Sequence, residues 1–257
     1  MPVRLRRRRD RSATMTFVEH LDELRRRIVI SIVAVAAGSI AGWFLYKPVF
    51  NVLSNPFCDF VRRAPRLAID PHHPCRLVYL SVAEPFLTKI KLVAFLGFAF
   101  ALPVVLYQLW RFVTPGLTAR ERRFALPFVA ASVLLFAIGA WLAIVTLPKA
   151  LSFLLGFAGT SRLVAVLSIA KYISFLIFLI LAFGLAFEFP LVLMSLVVVG
   201  VLSSAKLRSW RRYAYLLIAI AAAVITPSQD WFTMTAMMVP LLVFYELSIL
   251  ISRFIKR

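Results

Sequence analysis

The sequence predicts an all-α membrane protein with six transmembrane helices, on three observations. Of its 257 residues, 62% are hydrophobic, and the mean hydropathy is +0.89, more than a water-soluble domain of this length tolerates. The apolar residues fall into runs suited to a bilayer core of about 30 Å. The net charge of +19, from 30 Lys and Arg against 11 Asp and Glu, gathers at the ends of those runs. That placement favours membrane topology over nucleic-acid binding. Without a repeat or a low-complexity tract, the length fits one helical bundle.

Residues 1–27 read as a basic cytoplasmic region. Its first part, MPVRLRRRRDRSAT, is expected to be disordered and to rest on anionic membrane lipid, with Met15 as an alternative start. TFVEHLDELRRR, Thr16 to Arg27, reads as an amphipathic helix, and Thr16 and Glu19 have capping-box spacing. The membrane domain follows over 28–257. Its first span is Ile28 to Leu45. A cleaved signal peptide is rejected because no small-residue cleavage site follows and further spans come later.

A proline-rich polar segment, 46–85, separates the first span from the second, Phe86 to Val113. Lys89 and Lys91 near its start are placed to snorkel to the interface. After a loop at 114–123 the third span is Phe124 to Leu147, and after a loop at 148–172 the fourth is Ile173 to Leu202. The basic loop 203–212 leads to a fifth span, Tyr213 to Thr226, and the turn 227–230 to a sixth, Trp231 to Tyr245. The fifth covers only about 21 Å at 1.5 Å per residue. Two short neighbouring helices imply local bilayer thinning or burial against partners. The alternative is extension of each into its polar flanks.

Six spans put both termini on one side. That side carries twenty Lys and Arg against ten on the other, so it is expected to be cytoplasmic. Nine of the twenty lie in residues 1–27; without them the count is 11 to 10, and only their density in short loops favours the same orientation. The 46–85 segment then faces outward with Cys58 and Cys75. There a disulfide is expected, worth about 3 kcal/mol on the chain-entropy account; two unrelated thiols are the alternative.

The chain has no phosphate-binding glycine loop and no GxSxG, and His20, His72 and His73 have no third ligand at metal spacing. An ATPase, a metalloprotease and a serine hydrolase all lack their parts. No enzyme activity, cofactor or metal is expected, and energy must come from a partner or the membrane gradient. Three carboxylates remain. Glu23 stands four residues before Arg27, an ordinary surface ion-pair spacing. Glu121 lies among arginines, where local charge compensation is the ordinary reading. Glu188 lies within the fourth apolar run, two residues before Pro190. An acid at a helix centre in lipid costs roughly 2.5–3.5 kcal/mol on insertion scales, so it marks a functional site by default. Its ordinary reading is a polar contact between helices.

Taken in order, HLDELRRR (20–27), SNPF (54–57), AEPF with KIK (83–91), LYQLWRFVTPGL (106–117), ERR (121–123), FGLAFEFP (183–190), KLRSWRR (206–212), ITPSQD (225–230) and YEL (245–247) resemble TatC, the multispanning core of the twin-arginine protein translocase. The match runs from Thr16 nearly to the end, and is nearest to the actinobacterial type, where paired outer-loop cysteines also occur. The resemblance implies a concave, glove-like bundle in the bacterial inner membrane that receives folded cargo bearing Arg-Arg signal peptides. It implies single-span TatA- and TatB-type partners, a homo-oligomeric complex and drive by the proton-motive force. Glu23 and Glu121 would recognise the two arginines, with the neighbouring arginines holding the acids in place. Glu188 would line the concave face and contact polar groups of the partners, or water. Pro56, Tyr107, Phe112 and Pro115 would support the site. Asp230 departs from the pattern, since Trp231 follows it where the family usually has proline.

Two other readings are open at this point. A proton-coupled small-molecule transporter would depend on Glu188, although no internal symmetry of the usual kind is present. A structural scaffold would depend on none of the three acids for binding.

Overall fold

The computed structural model describes residues 17–63, 78–113, 125–156, 168–198, 200–226 and 230–255. Their regular structure is helical: α1 (Phe17–Arg63), α2 (Glu84–Val113), α3 (Ala125–Gly156), α4 (Ile169–Phe187), α5 (Phe189–Val198), α6 (Ser204–Ser209), α7 (Arg211–Ile225) and α8 (Trp231–Ile255). A lone bridge pairs Val78 with Ser168. Helices satisfy their own backbone hydrogen bonds, which a hydrocarbon medium demands. Five of the described helical segments are long and apolar enough to cross a bilayer, α4 and α5 counting as one. The fifth expected crossing, α7, has 15 residues and rises only about 22 Å. The chain is a multi-pass, all-α membrane protein.

Three helices run past their expected ends. α1 does not stop at Leu45; it continues through Pro48 and Pro56 to Arg63. An interior proline costs a helix about 3 kcal/mol, and tertiary packing offsets that here. Leu53, Phe57, Phe60 and Val61 are all buried, and their spacing makes one apolar stripe. The Tyr172 hydroxyl also donates to the Leu53 carbonyl at 2.7 Å. α3 likewise passes Pro148, burying Ala150 and Leu151 beyond it. α8 continues through Glu246 to Ile255, taking the alternative of extension into polar flanks.

The fourth crossing breaks at Glu188, between α4 and α5. Pro190 has no N–H to give and its ring excludes the Ala186 carbonyl. Glu188 closes α4 with its N–H on Leu185 O at 3.1 Å, and its own carbonyl accepts from Leu191 and Val192 to restart the helix.

α4 is the hub of the bundle. Of its most apolar window, extended into α5, 56% is buried, against 6% for α1. Tyr172, Ile173, Leu176, Leu179 and Phe183 are its core face, and α2, α3 and α8 pack around it. α1 is held mainly by α2, through a close approach at Gly38 and Gly97. A Cβ on Gly97 would stand 2.0 Å from Ser39 Oγ and 2.7 Å from the Val35 carbonyl; one on Gly38 would stand 2.6 Å from the Gly97 carbonyl. Small residues let helix backbones approach closely in lipid.

Lys89 and Lys91 contact neighbouring helices. Lys89 lies 3.7 Å above the Trp43 ring of α1, and Lys91 donates to Ser174 of α4 at 3.1 Å. Near that end Glu84 clasps two elements, accepting from the Leu80 N–H at 2.6 Å and the Ala170 N–H at 3.0 Å.

Asp230 caps α8. Its carboxylate accepts from the Thr233 N–H at 2.7 Å and the Thr233 hydroxyl at 2.5 Å, with no exposed surface. Asp230→Ala should therefore cost about 0.5–2 kcal/mol. A lower midpoint of thermal unfolding in detergent is the expected result, and an unchanged midpoint would contradict the capping role.

Candidate functional site

The first turns of α1 lie on the last turns of α2. Glu23 and Arg27 share one face because four residues make about one turn. The Arg27 guanidinium donates to Glu23 Oε1 and, at 3.3 Å, to the backbone carbonyl of Gln108. Arg27 is only 9% exposed, whereas Arg25 and Arg26 are exposed. Of the arginines expected to steady the acids, Arg25 and Arg26 point away, and it is Arg27 that holds Glu23. The His20 ring stacks on Phe112 with centroids 4.4 Å apart, a second tie between the same two helix ends.

The ion pair leaves atoms unused. Glu23 Oε2 and Arg27 Nε are buried and have no hydrogen-bond partner among the described residues. A carboxylate oxygen has acceptor capacity for more than one donor. Glu23 therefore presents one oxygen fixed by Arg27 and a second able to accept from a further cation.

Glu188 forms a second polar locus on the same half of the bundle. The Trp110 indole N–H donates to Ser132 at 3.2 Å, and the Ser132 hydroxyl donates to Glu188 Oε2 at 2.8 Å. This relay joins α2, α3 and the α4–α5 break. Glu188 Oε1 has no partner among the described residues. Ser132 stands seven residues after Ala125, the first of α3, about 10 Å along the helix. Glu188 is half-buried and stands past the midpoint of the Ile169–Val198 crossing, toward its Val198 end.

The other expected site residues divide. The Phe112 ring stacks on His20. Tyr107 is exposed, one residue before the Gln108 carbonyl that takes Arg27. Pro56 lies inside α1, far along that helix from Glu23. Glu121 and Pro115 lie outside the described residues. So does Cys75; Cys58 is half-buried on α1.

A third cluster escaped the sequence reading. Glu246 of α8 accepts from Arg211 of α7 at 2.5 Å and from the Tyr215 hydroxyl at 2.5 Å. Beside it, Tyr245 donates to the Leu207 carbonyl at 2.7 Å, one of the last carbonyls of α6, which lack partners within their own helix. Glu246 was visible as an interruption of an apolar run; its partner lies 35 residues away, and nothing local announced it.

The family model described as Sec-independent protein translocase protein (TatC) matches residues 19–240. A Sec-independent protein translocase protein TatC of Frankia casuarinae is 42% identical over 241 residues, covering 93% of this chain and 65% of that protein. The chain thus spans a little under two thirds of that relative's length. The protein of the same description from Aquifex aeolicus is 39% identical over 245 residues, covering 95% of this chain and 97% of its own. Among solved structures, a crystal structure of the twin arginine translocase receptor TatC is 40% identical with a TM-score of 0.71, over 93% of this chain and all of that one. The same receptor in DDM gives 0.73, at 40% identity, over 91% and 99%.

Proposed function

This chain belongs to the TatC family of Sec-independent protein translocase proteins, and from that premise we propose that it is the receptor and core component of a twin-arginine translocase. The family is a membrane component of protein transport, not a known enzyme family. The proposed ligand is the Arg-Arg signal peptide of a folded cargo protein. Single-span TatA- and TatB-type subunits are the proposed partners, in a homo-oligomeric complex driven by the proton-motive force. The proposed setting is the bacterial cytoplasmic membrane with both termini cytoplasmic, in keeping with the twenty-to-ten division of basic residues.

The observation that carries this reading is the Glu23 carboxylate, with one oxygen on Arg27 and the other buried and unpartnered among the described residues. Arginine's planar fork pairs with carboxylate through two parallel N–H donors; lysine offers only a point charge. Glu121 is proposed as the partner of the second arginine. It follows α2, whose last turn is tied to α1 by the His20–Phe112 stack. Glu188, with its own unpartnered oxygen, is proposed as the intramembrane contact for a partner subunit. Pro115 and Tyr107 are proposed supports of the cytoplasmic loop, and Pro56 of the outer end of α1. The small-molecule transporter reading has Glu188 alone in its favour.

Glu121→Ala tests the second contact. It should weaken binding of an Arg-Arg signal peptide about tenfold or more, in line with a charge-assisted hydrogen bond of about 1.5–3 kcal/mol, while membrane insertion stays normal. Unchanged affinity in the folded protein would remove Glu121 from the site.

We also propose that Cys58 and Cys75 are bridged. Without reductant, neither thiol should react with a maleimide in the native protein, and both should after reduction. Labelling of both thiols before reduction would refute the bridge.

A further inference from the structure

We propose that the groove between α7 and α8 binds an anionic phospholipid from the leaflet at the Glu23 end. The groove has a volume of about 510 Å³, and Arg211, Tyr215, Leu242, Glu246, Leu250 and Arg253 are among its lining residues. It is built from both helices, α7 giving Arg211 and Tyr215 and α8 giving the rest. Along α8 it is a single stripe that changes character with depth. Leu242 and Val243 form its deep end, Glu246, Leu247 and Leu250 its middle, and Arg253 its mouth.

Length favours a lipid chain over a protein helix. Leu242 and Arg253 are eleven residues apart, about 16 Å along the helix. That is roughly half of a hydrocarbon core of about 30 Å, the depth of one leaflet, whereas a spanning partner helix needs a face about 20 residues long. α7 is itself only 15 residues long, so lipid beside it must adapt to a short wall.

Charge selects the headgroup. Glu246 is already satisfied by Arg211 and Tyr215, each at 2.5 Å, so the pair contributes little net field. Arg253 is exposed and forms no ion pair with a described residue. Arg208 and Arg212 are exposed close to Arg211 in the chain. The mouth is therefore net positive above a largely apolar trough whose one acid is paired, complementary to a phosphodiester carrying one negative charge and an acyl chain. The inference needs only that this end of the bundle meets the headgroups, and it stands apart from the signal-peptide reading.

The test is native mass spectrometry of the full-length protein with equal amounts of dioleoyl phosphatidylglycerol and dioleoyl phosphatidylcholine. Phosphatidylglycerol should be retained at least fivefold better. R253Q should cut that preference about fivefold, the contribution of one basic residue near a membrane surface, and R253K should keep it. E246Q should raise phosphatidylglycerol retention, since it removes the one carboxylate among the groove's lining residues and leaves the Arg211 charge uncompensated; a purely structural role of Glu246 would not do so. Because Arg253 is exposed, R253Q should elute as the parent does on size exclusion. Equal retention of the two lipids, or an unchanged preference in R253Q, would overturn the proposal. So would a photocrosslinker at position 250 that traps a protein chain instead of lipid in mixed vesicles of the two.

Discussion

Gly97→Leu should prevent α1 from seating on α2 and leave little monodisperse protein in detergent. The Gly97 Cα faces the backbone of α1, and an added Cβ would already lie 2.0 Å from Ser39 Oγ and 2.7 Å from the Val35 carbonyl. A flexible neighbour could swing aside; a helix carbonyl cannot. The two helices must separate, and this contact is the main one that holds α1. Overpacking typically costs about 1–3 kcal/mol, and displacing a whole helix places this variant at or above that range. Gly97→Ala is the milder test, with a lowered unfolding midpoint expected. Normal yield and midpoint for Gly97→Leu would mean that the close approach is not needed.

Glu23→Gln should weaken Arg-Arg signal-peptide binding about 10- to 100-fold, from the loss of a charge-assisted hydrogen bond worth about 1.5–3 kcal/mol. The same change should cost little stability. Gln keeps the side chain's shape and its amide oxygen still accepts from the buried Arg27, which also keeps the Gln108 carbonyl. Affinity and stability thus separate. A purely structural Glu23 would change the unfolding midpoint and leave peptide affinity alone. Fluorescence anisotropy of a labelled signal peptide and thermal unfolding, on the same preparation, read the two quantities.

What the sequence made legible follows from range. Apolar runs announced the crossings because spanning a bilayer is a constraint on consecutive residues. Pro190 breaks the fourth crossing at Glu188, a crossing read from the sequence as one run from Ile173 to Leu202. Glu23 and Arg27 were readable as a pair from their spacing. Their tie to Gln108 was not, because it depends on how α1 docks on α2, 81 residues away. The Trp110–Ser132–Glu188 relay was hidden for the same reason, as was the Arg211–Glu246 pair. Pro48 and Pro56 pointed to a loop; buried Leu53, Phe57, Phe60 and Val61 outweigh them by packing that local propensity does not include. Asp230, doubtful by its motif, has a plain role as a cap.

The family places the chain in protein transport, and two polar loci are the proposed parts of that role. Glu23 with Arg27 faces the end where the basic residues gather. Glu188 lies one helix break away on the same half, tied to α2 through Ser132 and Trp110. Since Gln108, Trp110 and Phe112 all belong to the last turns of α2, one short segment touches both acids' surroundings. A signal peptide gripped at Glu23 would press on the segment that positions Glu188.

The most direct measurement is binding of an Arg-Arg signal peptide and its Lys-Lys counterpart to the purified protein in nanodiscs. The carboxylate account predicts clear binding of the Arg-Arg peptide, with the Lys-Lys peptide at least tenfold weaker, since lysine cannot pair through a planar fork. Equal binding of the two peptides by the folded protein, or binding of neither, would contradict it.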